Sequence, residues 1–200
     1  MSEEGHGTGR VEAFSDGVFA IAITLLILEI GVPHVEANQS LTHELLRLWP
    51  SYLSYVISFL VIGIMWSNHH SIFREIQRTD QTLLALNLLL LLLIAFVPFP
   101  TALLAEYLHR GEHLTEAAVV FGATFTAIAL AFNALWWYAS TKHGIMHADV
   151  TPAAIRSRTR RYWAGPIVYG ATIPLAFLNP WISIAIFAAL ALFFLIPVTE

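Results

Sequence analysis

The 200-residue chain contains no cysteine, which excludes a disulfide-stapled fold, a thiol nucleophile and any cysteine-ligated metal centre. Charge is nearly as scarce. Asp, Glu, Lys and Arg make up 12% of the residues, against roughly 25% in soluble domains. With 10 basic residues to 14 acidic ones, the chain has no surplus of Lys and Arg for a nucleic-acid backbone. It also lacks a nucleotide-binding glycine loop, an H-E-x-x-H and a G-x-S-x-G, so no nucleophile–base pair points to an enzyme. The inverted-repeat pattern of many transporters is missing too. What the chain has in abundance is hydrocarbon: 57% hydrophobic residues and a mean hydropathy of +0.67. That is the composition of a bilayer protein.

About 20 apolar helical residues cross the roughly 30 Å hydrocarbon core of a membrane. Uncharged runs of that scale cover 48–73, 81–105, 117–141 and 162–199. The last is 38 residues long, too long for one crossing, and Asn179-Pro180 divides it into a predicted hairpin because proline cannot continue a helix ladder. A shorter run of 12 residues, Gly17 to Leu28, lies between Asp16 and Glu29. A lipid-facing helix of that kind would hold carboxylates unpartnered at membrane depth, which is costly, so it is read as an inner helix. The competing identity, a signal peptide, is disfavoured by Asp16 and by the lack of a small-x-small site after Glu29. The expectation is an all-α membrane protein, one domain over 1–200, with six transmembrane helices at about 11–31, 50–70, 81–105, 115–140, 161–178 and 181–197.

Basic residues set the orientation. Arg10, Arg74, Arg78, Lys142, Arg156, Arg158, Arg160 and Arg161 fall on one side, and only Arg47 and Arg110 on the other. The positive-inside rule therefore predicts cytoplasmic N- and C-termini. Trp49, Trp66, Trp136, Trp137, Trp163 and Trp181 lie near predicted helix ends, where they are expected to anchor the spans at headgroup level. Asn87, Thr124, Thr126, Asn133 and Thr172, inside spans, are expected to be hydrogen-bond partners between helices.

On a helical wheel, Gly17, Ile21, Thr24, Leu25 and Leu28 share one stripe about 100° wide, with Asp16 well off it. Such a stripe suits either plain core or, repeated around a symmetry axis, stacked rings of Ile, Thr and Leu. Arg10, Ser15 and Asp16 fall at the depth where the second helix ends in His69 and His70. Three roles are open for that group: a structural lock, which is preferred, a proton relay, or a metal site. A tightly held metal is disfavoured, since neighbouring histidines on a regular helix point to different faces and no cysteine is present.

Arg10-x-x-x-Phe14-Ser15-Asp16, followed by Gly17-Val18-Phe19-Ala20-Ile21-Ala22-Ile23-Thr24 and by a second helix ending at His69-His70, resembles the transmembrane protein 175 family of potassium channels. The resemblance covers the six-helix plan over nearly the whole chain. It implies a homotetramer without a reentrant selectivity loop, in which four first helices line one central pore. It also implies that Ile21, Leu25 and Leu28 are successive constrictions and that Thr24 is a hydroxyl layer, with K+ transiently near Ile21 and Thr24. Arg10, Ser15 and Asp16 match the family's polar network, and His69 or His70 are the inferred partners. The expected function is passive, potassium-preferring conduction in the plasma membrane of a prokaryote. The expected partners are the chain itself, the lipid bilayer and potassium ions, with no nucleic acid and no cofactor. A secondary transporter and a non-conducting membrane scaffold remain as alternatives.

Overall fold

The computed structural model describes residues 8–35 and 40–195. Among them the chain forms eight α-helices and no strand: α1 (Thr8–Leu25), α2 (Leu41–Arg47), α3 (Trp49–Phe73), α4 (Gln81–Phe96), α5 (Pro98–Arg110), α6 (Leu114–Thr141), α7 (Pro152–Leu178) and α8 (Pro180–Leu195). Four stretches are long and apolar enough to cross a bilayer: Thr8–Glu29, Trp49–Phe73, Gln81–Arg110 and Leu114–Thr141.

Local chemistry explains where the boundaries depart from expectation. The first helix, expected over 11–31, starts at Thr8, and its last turn tightens into a 3₁₀ turn over Leu26–Glu29. The third, expected as one piece over 81–105, runs on to Arg110 and is broken at Val97. Pro98 and Pro100 each lack the N–H that an unbroken helix requires. The Thr101 hydroxyl donates to the Val97 carbonyl (2.9 Å) and meets the Ser58 hydroxyl of α3 (2.7 Å), tying the kink into the bundle. Gly111, at φ 75°, then ends α5 in the left-handed conformation that glycine adopts without strain.

The fifth helix begins at Pro152, not at 161. Thr151 caps it by accepting from the Ala154 N–H at 3.2 Å, and proline occupies the first turn, the position where its missing N–H costs nothing. Arg156, Arg158, Arg160 and Arg161 therefore lie on a helix and not in a loop. Asn179 does separate the last two helices, its side chain accepting from the Trp181 N–H at 2.9 Å. The expected end of the last helix, at 197, lies outside the described residues. Helix α2, unforeseen in the sequence, is a single short element before α3.

Of the four spans, the one formed by α6 is the most enclosed and the first is the least. Phe121, Phe125, Ile128 and Leu135 of α6 anchor a core that also takes Phe19 of α1, Leu26 of the 3₁₀ turn, Val61 and Ile62 of α3, and Leu83, Leu90 and Ile94 of α4. On the arginine-bearing side, the two loops brace each other. Ile76 and Met146 form an antiparallel bridge, with the Gln77 N–H donating to Ile145 O and the His147 N–H to Glu75 O, both at 2.9 Å. Asp80 caps α4 through the Leu83 N–H (2.8 Å) and accepts from the Tyr138 hydroxyl (2.6 Å), so α4 is pinned to α6.

Not every tryptophan is a surface anchor. Trp136 is 1% exposed and donates to the Thr159 hydroxyl between α6 and α7. Trp49 and Trp181 stack on each other at 6.3 Å.

Candidate functional site

Helix α1 has two faces of opposite character. Ser15, Phe19 and Ala22 are buried on the side facing α3 and α4, and Leu26 of the 3₁₀ turn on the side facing α3 and α5, each at 1% exposure or less. Their spacing of three and four residues puts them on one side of the helix. The opposite side is uncovered: Ile21 is 60% exposed, Leu25 42% and Leu28 71%, with Gly17 and Thr24 exposed among them. In the protomer the first helix is thus an outer element, and its stripe is neither core nor covered by another helix. Phe14, 57% exposed, continues the apolar strip toward the N-terminus.

Thr24 is oriented within that strip. Its hydroxyl donates to the Ile21 carbonyl at 2.9 Å, which commits the proton to the helix and leaves the oxygen lone pairs as acceptors.

The polar residues beneath the strip separate into two groups. Ser15, 0% exposed, donates to the Val11 carbonyl (2.8 Å) and accepts from Asn87 Nδ2 of α4 (3.0 Å). Asn87 Oδ1 meets His69 Nε2 of α3 at 2.9 Å. Since the amide nitrogen serves Ser15, the carbonyl oxygen is left to accept, which assigns the imidazole proton to Nε2. His69 lies between the rings of Phe19 (5.4 Å) and Phe73 (4.4 Å). One chain of hydrogen bonds therefore ties α1, α4 and α3 together inside the bundle.

The second group is exposed. Asp16 accepts from Trp66 Nε1 at 2.8 Å, and His70 stacks on the Trp66 ring at 6.2 Å. Arg10 is exposed and makes no ion pair among the described residues. Of Arg10, Ser15, Asp16, His69 and His70, only Ser15 and His69 share a network within one protomer, and they do so through Asn87. Asp16 does not bond either histidine.

Asn87 had a visible signal, as the lone amide in a leucine run, but nothing along the chain says which helices it joins. Trp66 reads as an interfacial anchor, and its bond to Asp16 spans 50 positions of sequence. Of the other polar span residues, Asn133 does reach across helices, to the Tyr162 carbonyl at 3.0 Å. Thr124, Thr126 and Thr172 bond back to their own helices. Among the described residues, no three His, Asp or Glu side chains converge to hold a metal.

These features define an integral membrane protein of all-α class, whose first span is anchored to the bundle by a buried polar chain and presents an uncovered apolar face. Residues 10–98 match the family model described as endosomal/lysosomal potassium channel TMEM175. A potassium channel of Streptomyces collinus is 48% identical over 187 residues, spanning 94% of this chain and 91% of that protein. One from Chamaesiphon minutus is 47% identical over 189 residues, covering 94% and 93%. The crystal structure of a lysosomal potassium-selective channel TMEM175 homologue from Chamaesiphon minutus superposes with a TM-score of 0.84 at 46% identity, covering 94% of this chain and 95% of that one. The chain belongs to the TMEM175 family.

Proposed function

We propose that the protein is a potassium-preferring channel that conducts passively through a pore lined by α1. Four copies surround one axis, each turning its Ile21–Leu28 strip inward. Gathered at the axis, the four strips leave the lipid and face one narrow channel. Ile21, Leu25 and Leu28 then form successive hydrocarbon rings, which hold water poorly and close by dewetting without a plug. When the rings widen, a partly hydrated cation passes and the acceptor lone pairs of Thr24 stand in for lost water. Sodium holds its hydration shell more tightly than potassium, so partial stripping favours potassium.

Six crossings make up the span of the protomer in this proposal: α1, α3, the kinked α4–α5 pair, α6, the apolar part of α7, and α8. Residues 162–178 and α8 are each about 25 Å long, near the lower limit for crossing. The excess of basic residues on one side supports cytoplasmic termini, and the pore sits in the plasma membrane of a prokaryotic cell in this reading. The buried Ser15–Asn87–His69 chain and the Trp66 bond to Asp16 lock the inner end of α1 and hold its rotation.

The exposure of Ile21, Leu25 and Leu28 opposite a fully buried face carries this proposal. Purified protein in liposomes tests it: potassium flux should follow the gradient and exceed sodium flux. Sharply saturating or proton-coupled flux identifies a transporter instead, and absence of flux a scaffold.

A further inference from the structure

A cavity of about 280 Å³ lies between α3, α6, α7 and α8, away from the α1 strip. Small side chains create it. Ala129 of α6 and Ala164 and Gly165 of α7 all line it, and a Cβ built on Gly165 would come within 3.4 Å of the Ala129 Cβ. The helices approach closely there, but no large side chain fills the space alongside. Val168 belongs to its apolar wall, while Asn68 and Arg161 mark a polar end.

The two arginines on this stretch of α7 differ. Arg158 is engaged by Glu75 at 2.6 Å. Arg161, about one turn on, is exposed at the cavity and has no ion-pair partner among the described residues. From Arg161 to the end of α7 at Leu178 the helix rises about 26 Å, close to the roughly 30 Å of a hydrocarbon core. Trp163, 51% exposed, stands beside it, as aromatic rings do at the headgroup boundary. Arg161 is therefore at headgroup depth, and the Gly165–Val168 wall lies below it among acyl chains. An apolar void at that depth stays dry, and its lining atoms lack dispersion partners.

We propose that the cavity takes one acyl chain of an anionic glycerophospholipid, with the lipid phosphate held by Arg161. The volume is close to the lower end of the about 300–1,000 Å³ of ligand pockets, enough for one chain segment and not for a whole lipid. An unpaired guanidinium at the mouth selects a phosphate-bearing headgroup of net negative charge. The proposal requires only that the chain spans a bilayer, whatever it conducts.

Native mass spectrometry of the detergent-purified protein, titrated with dioleoyl phosphatidylglycerol or dioleoyl phosphatidylcholine, tests it. The wild type should retain phosphatidylglycerol at least fivefold more tightly. Arg161→Gln should abolish that preference. Val168→Phe, which fills the cavity, should remove tight binding of both lipids. Arg156→Gln, an equal loss of charge away from the cavity, should leave the wild-type pattern. Preference retained in Arg161→Gln, equal loss in Arg156→Gln, or unchanged binding in Val168→Phe overturns the proposal. So does competition by soluble glycerol phosphate as effective as by the lipid, which would mark a bare anion site. Loss of oligomer in Val168→Phe with lipid binding intact would mark a protein contact and also overturn it.

Discussion

Replacing Asn87 with leucine tests what holds α1 in place. Asn87 is 2% exposed and makes two side-chain bonds, to Ser15 at 3.0 Å and His69 at 2.9 Å. Hydrogen bonds between helices in membranes average about 0.6 kcal/mol and reach about 1.7. An orphaned buried polar group costs about 1–3 kcal/mol more. Ser15 keeps its own donor bond to the Val11 carbonyl, so the penalty falls mainly on the imidazole N–H of His69, enclosed by Phe19 and Phe73. The sum is a loss of about 2–3 kcal/mol for Asn87→Leu, read from denaturant unfolding in detergent micelles. Adding His69→Phe removes the orphaned donor and completes an aromatic cluster, so the double variant should recover about half of that loss. Assembled protein that survives either change should keep its ion preference, since neither residue lies on the exposed strip. Strictly additive costs, or a loss below about 0.5 kcal/mol for Asn87→Leu, would show that the buried chain is not what fixes α1. A changed reversal potential would refute the lock and favour a role in conduction.

Ile21→Asn should wet the proposed narrowest ring, raising leak and weakening discrimination in liposome flux assays; unchanged flux would remove Ile21 from the constriction. Thr24→Ala should lower the preference for potassium over sodium, and an unaltered reversal potential would take Thr24 out of the filter. Gly122→Ala should destabilise the α6–α7 pair by about 1–3 kcal/mol through overpacking, because its new Cβ would meet Thr172 Oγ1 at 2.6 Å. Thr172→Ala in the same chain should relieve that loss, and a thermal midpoint matching wild type for Gly122→Ala alone would contradict the packing. Burial pushes the Asp80 carboxyl up, but the Tyr138 hydroxyl, the Leu83 N–H and Lys142 outweigh it and hold it below the usual carboxylate range. A depressed folded-state value stabilises above the unfolded pKa and is lost as pH falls through the folded one. Tyr138→Phe should therefore be less stable than wild type at about pH 6, and the gap should narrow below about pH 4; a gap independent of pH would show that the bond does not depend on Asp80 ionisation.

Much of this molecule is legible in the order of its residues. Uncharged runs between charges reveal the spans, because a bilayer excludes ions regardless of how the helices are arranged. Asn179-Pro180 marks the last turn, and the spacing of Ile21, Thr24, Leu25 and Leu28 is enough to place them on one side of α1. The start of α7 was missed, expected at 161, because the arginines after Thr151-Pro152 look like a loop when read as charge alone.

Other features exist only once distant segments meet. Asn87 joins Ser15 and His69 from 72 and 18 positions away, and the break at Val97 is tied to Ser58 from 43 away through Thr101. Trp136 and Trp66 look alike in composition, yet one is buried against Thr159 and the other holds Asp16. The bilayer's demand for apolar length acts on each segment by itself, so the four stretches long and apolar enough to cross were legible in the sequence. Hydrogen bonds and close packing act between segments, and only the folded chain decided which face of α1 is buried and which is left open.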